Sequence, residues 1–145
     1  MDPSIQVAII SAAASVVVAA LSFVIAKRAE RRDALQSRKL EHYRELLGAI
    51  SDLAVDGTDK DDANHRFARA ANTIALVAPQ KVITALMAFH DEVKHTNPNP
   101  SAEGHDARLK ELLLSVRESL ELPFSDDPKT FAFHLIGSKG RGKKA

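Results

Sequence analysis

Hydrophobic and polar positions change rhythm several times along this chain. From Ile5 to Ala26 no side chain is charged. Small residues fall on one helical face, with Val7, Ile10, Val17, Leu21 and Val24 on another. From Lys27 to about Ala54 the pattern turns amphipathic: Leu40, Tyr43, Leu47, Ile50 and Ala54 recur at helical steps, and Gly48 is the only Gly or Pro. This predicts one long helix continuous with the apolar run. The stretch DGTDKDD, Asp56 to Asp62, breaks it, with Thr58 or Asp59 suited to cap the next helix. Phe67, Ala70, Ala71, Ile74 and Val77 then share a face. Pro79 ends that helix and suits the first turn of another, on which Val82, Ile83, Leu86, Met87, His90 and Val93 align. Two prolines make TNPNPSAEG, Thr96 to Gly104, a loop. Leu109, Leu112, Leu113, Val116 and Leu120 form a last face before Pro123. In Thr130 to Ile136, Phe131, Phe133 and Leu135 alternate, which suits a short extended segment on the bundle; Asp127-Pro128 suits a final helical turn instead.

The expected fold is all-α. A single N-terminal transmembrane helix runs on into a long amphipathic helix, followed by a small cytosolic helical bundle. The divisions are a leader at 1–4, a span at 5–26, a basic juxtamembrane helix at 27–39, a bundle at 40–136 and a disordered basic tail at 137–145. The 22 uncharged residues rise about 33 Å as a helix, against a hydrocarbon core of roughly 30 Å. Eleven of them are Ile, Val, Leu or Phe, and at about 0.3 to 0.6 kcal/mol each they favour insertion by roughly 3 to 7 kcal/mol. Acidic Asp2 stands where an export signal carries positive charge, and no small-residue cleavage site follows, so the run reads as a retained anchor.

Charge orients it. Residues 27–39 hold Lys27, Arg28, Arg31, Arg32, Arg38 and Lys39 against Glu30 and Asp33, a net of +4. Positive flanks stay in the cytoplasm, so the N-terminus is expected outside and the bundle inside. The six cations are expected to contact anionic lipid headgroups. Residues 40–136 carry 10 Lys and Arg against 16 Asp and Glu, net −6, and the tail adds +4. That tail suits lipid contact or simple solubility, and nucleic acid is not expected as its partner. Ala8, Ser11, Ser15, Ala19, Ser22 and Ala26 lie 3, 4, 4, 3 and 4 apart on one face. Such small residues let membrane helices approach and self-associate, although Ala and Ser are abundant enough here to align by composition alone. In a larger oligomer the same stripe would line a pore.

Catalytic chemistry is sparse. HDEVKH, His90 to His95, places its histidines five apart, about 140° around a helix, whereas a zinc-binding helix needs them four apart. His42, His65, His105 and His134 are scattered. The chain has no cysteine, no glycine-rich phosphate loop and no Gly-x-Ser-x-Gly. SDDP, Ser125 to Pro128, suits the start of a helix, and Arg66 with Arg69 near Asp61 and Asp62 suits a solvated face. No enzyme, cofactor or metal is expected.

The span followed by SRKLEHYRELLGAISDL, HRFARAANTIALVAP, VITALMAFHDEV and LLLSVRESLEL resembles small bacterial single-pass membrane proteins of uncharacterised function. That resemblance implies an inner-membrane protein with a helical cytosolic domain. The function expected is a membrane-anchored helical interaction module that self-associates or holds a cytosolic protein at the membrane. The alternative is an effector whose clustered anchors perturb the bilayer or form a pore.

Overall fold

A computed structural model describes residues 2–55, 57–123 and 125–136, apart from the side chains at 7–11 and 13. The basic tail expected at 137–145 lies outside them. The described chain is all-helical and has no strand: α1 is Pro3–Ala54, α2 Lys60–Ile74, α3 Gln80–Val93 and α4 Ala102–Ser119. It divides into two units, Met1–Ser37 and Arg38–Ala145, with the boundary inside α1.

In the first unit Pro3 opens α1, where its missing N–H costs nothing. The Asp2 carboxylate accepts from the Ser4 N–H at 3.1 Å, and its carbonyl accepts from Ile5 and Gln6. The Ser4 hydrogen bond holds the Asp2 carboxyl below its ordinary range. Ile5, Val16, Val17, Val18, Leu21, Phe23, Val24 and Ile25 are all exposed. Among the described residues no helix is long and apolar enough to cross a membrane. The side chains of Val7, Ala8, Ile9, Ile10, Ser11 and Ala13, within the same apolar run, are not among them.

The second unit is built around a shared core. Tyr43, Leu46 and Ile50 of α1 meet Phe67 and Ile74 of α2, Val82, Leu86 and Phe89 of α3, and Leu109, Leu112 and Val116 of α4. The closest-packed helix pair is α3 with α4. Gly57 reverses the chain after α1 at φ 86°, a left-handed conformation that costs a side-chain-bearing residue more. The Lys60 ammonium then reaches back to the Leu53 and Val55 carbonyls at 2.7 Å each, satisfying the C-terminal end of α1. Asp59, not Thr58, caps α2, accepting from the Asp61 and Asp62 N–H groups. Pro79 is the N-cap of α3 rather than part of its first turn.

Some faces differ from the periodic reading. Leu40, Met87 and Val93 are exposed, while Leu46, Ala49, Ala85 and Phe89 are buried. A helix face has several equally periodic settings, and its neighbours choose among them. The loop before α4 ends early, because Ser101 caps Gly104 at 2.9 Å and its own N–H donates to Glu92 of α3 at 3.2 Å. Asp61, Asp62, Arg66 and Arg69 are exposed, as a solvated face would be, and Arg66 pairs with Asp52 of α1. Residues 128–130 make one turn, with the Thr130 and Phe131 N–H groups donating to the Asp127 carbonyl, and residues 131–136 are neither helix nor strand. Phe131 and Leu135 pack on the core, but Phe133 is exposed, so the alternation does not give one buried face.

Candidate functional site

Of the small-residue stripe, Ser15, Ala19, Ser22 and Ala26 are exposed on α1, and the side chains of Ala8 and Ser11 lie outside the described set. Lys27, Arg28, Arg31, Arg32 and Arg38 are exposed as well, with Lys27 donating to Glu30 at 2.8 Å. Lys39 departs from this set. It is half-buried, and its ammonium lies 3.4 Å from the Ser119 carbonyl at the end of α4. One turn further along α1, the Tyr43 hydroxyl shares a 2.7 Å buried hydrogen bond with the Ser119 hydroxyl. Burial raises the Tyr43 phenol above its ordinary pKa, and the Ser119 bond opposes that rise.

A different concavity lies wholly within the second unit. Helix ends converge on it: Ile50, Leu53 and Ala54 of α1, Lys60, Asn64, Phe67 and Ala68 of α2, Phe89, His90, Val93 and Lys94 around the end of α3, and His105 of α4. Leu135 closes one side and His95 joins the rim. The groove encloses about 600 Å³, within the roughly 300 to 1,000 Å³ typical of small-molecule sites.

Aromatic contacts fix its walls. The His90 ring stacks on Phe67 with centroids 6.3 Å apart and planes 11° from parallel. Phe89 meets the edge of Phe67 at 6.5 Å and His105 at 5.5 Å. His105 Nδ1 lies 3.1 Å from Asp106, and Lys94 donates to Asp91 at 2.8 Å, a hydrogen bond that holds the Asp91 carboxyl below its ordinary range. Among the described residues, every ionisable one lining the groove is Lys or His, in a region of the chain whose net charge is −6. Among the described residues, no group of three His, Asp or Glu is placed to hold a metal ion.

The periodic reading missed this site for a geometric reason. The angle separating His90 from His95 assumes one helix, but α3 stops at Val93, and both histidines reach the groove. Lys60 and Asn64 carry a local signal, four residues apart on α2, but their meeting with His105 depends on how the helix ends assemble. No known protein family, curated protein or solved structure matches the chain.

Proposed function

We propose that this chain is a membrane-anchored helical interaction module of a bacterial inner membrane. Residues 5–26 are its single span, the N-terminus lies outside, and the bundle works in the cytoplasm. The observation that carries this reading is the exposure of Ile5, Val16, Val17, Val18, Leu21, Phe23, Val24 and Ile25, from 45% to 71% of each residue's surface. Exposed large apolar side chains repeated over some twenty uncharged residues favour an apolar surround, and a bilayer supplies one along the whole length. The basic run at 27–39 sets the orientation and meets anionic headgroups, at about 1 kcal/mol per cation near the surface. The exposed small residues Ser15, Ala19, Ser22 and Ala26 give copies of the span a face for close approach, leaving the bundle to hold a cytosolic protein.

Fractionation with external protease tests the reading. The chain is expected in the membrane fraction, with residues 27–145 protected in spheroplasts; digestion of the bundle from outside would reverse the orientation. Self-association is tested by crosslinking in membranes. Ser15→Leu with Ala19→Leu is expected to weaken the oligomer, and Val17→Leu to leave it intact.

A further inference from the structure

We infer that the groove at the end of the bundle binds a small amphipathic anion, of the chemical class of a medium-chain carboxylic acid. The inference rests on the groove alone and stands whether or not residues 5–26 enter a membrane.

Two properties define the occupant. The floor, with Leu53, Phe67, Phe89 and Leu135, suits an alkyl or aromatic body that leaves water when it settles there. The rim selects the sign of the head group. Among the described residues no carboxylate lines the groove itself; Asp91 stands behind Lys94 and His90, and Asp106 behind His105. Lys60 is the principal cation: its ammonium is fixed by two backbone carbonyls, and among the described residues no carboxylate pairs with it. Those carbonyls use two of its three N–H donors, leaving one for a ligand carboxylate. Because the same lysine closes α1 and opens α2, its charge is already positioned before a ligand arrives. Lys94 stands on the α3 side, shared with Asp91. Asn64, one turn from Lys60, adds a neutral amide donor. A cationic amphiphile would bring its charge against these ammonium groups, and a neutral one would leave the Lys60 donor without an acidic partner.

The test uses the full chain in lipid nanodiscs, with empty nanodiscs as the baseline, and calorimetric titration of decanoate, decanol and decyltrimethylammonium. Decanoate is expected to saturate at one site per chain above the lipid background. Decanol should bind roughly ten-fold more weakly, as the loss of a charge-assisted hydrogen bond implies, and the cation should show no saturable site. Lys94→Met and Lys60→Met should each weaken decanoate, and Lys94→Met should leave decanol unchanged. Because Lys60→Met also removes the closure of α1, Val93→Glu provides a second route: Val93 is exposed, and a carboxylate there should abolish decanoate binding with the circular dichroism unchanged. Equal binding of decanoate and decanol, or full decanoate binding by Val93→Glu, would overturn the assignment. So would decanoate uptake no greater than that of empty nanodiscs. If the groove variants change only sedimentation-measured self-association, the occupant is a second copy of the chain and the proposal fails.

Discussion

Leu21 and Leu86 carry the same side chain into opposite surroundings: Leu21 keeps 58% of its surface exposed, and Leu86 none. The contrast extends to their neighbourhoods. Around Leu21 the helix has no charged side for some twenty residues, so no rotation could bury its apolar surface and leave a charged face outside. Around Leu86, Lys81 and Asp91 share a helix with Val82 and Phe89, so the polar surface faces water while the apolar stripe meets α4. Apolar content alone therefore does not make a core; segregation of apolar from polar positions along the helix does.

The strongest way to break this comparison is to cut both leucines back. Leu86→Ala should destabilise the bundle by about 2 to 5 kcal/mol, since it leaves a cavity in close packing. Leu21→Ala should change bundle stability by less than about 0.5 kcal/mol. Chemical denaturation of the full chain in mild detergent compares them, and equal losses would put Leu21 in the same cooperative core.

Next in size is the buried hydroxyl pair. Tyr43→Phe should cost about 1 to 3 kcal/mol by leaving the Ser119 hydroxyl without its partner. It also carries a pH signature. Burial raises the folded phenol pKa above its ordinary 10.0, so the neutral form is favoured in the fold. Stability is therefore full below pH 10 and declines as pH rises through the folded value. Denaturation midpoints between pH 8 and the alkaline limit should fall for the native chain, and Tyr43→Phe should remove Tyr43's share of that fall.

Smaller effects sharpen the picture at the helix ends. Asp59→Ala should cost about 1 kcal/mol through loss of the carboxylate that accepts from two backbone N–H groups at the start of α2. Arg66→Ala should cost less than about 1 kcal/mol, because its ion pair with Asp52 is partly exposed and screened. A larger loss for Arg66 than for Asp59 would mean that surface charge, rather than backbone satisfaction, sets the α1–α2 turn.

What was legible in the sequence follows the same division. Pro79, the acidic break around Asp59 and the proline loop before Ser101 mark helix limits because each acts through its own backbone. The end of α1 at Ala54, and buried positions such as Tyr43, Ile74, Leu86 and Leu112, follow from three- and four-residue spacing. Spacing could not say that Leu46 would be buried in place of Leu40, because both lie on plausible settings of one helix. Nor could it pair Arg66 with Asp52 or bring His95, Lys60 and His105 to one groove, since those meetings are made between elements. Phe133 shows the converse: alternation suggested a shared face, but the turn at Asp127 and an irregular path turn it outward.

The most direct test of the anchor uses the fact that the chain has no cysteine, so one introduced thiol is the only one to label. Val17→Cys and Glu41→Cys would each be treated with a membrane-impermeant maleimide in inside-out vesicles, then again after detergent. On the proposed topology Glu41→Cys, at an exposed position of the bundle, is expected to label at once, whereas Val17→Cys is expected to label only after detergent removes the bilayer. Rapid labelling of Val17→Cys in intact vesicles, or recovery of the chain in the soluble fraction, would contradict it.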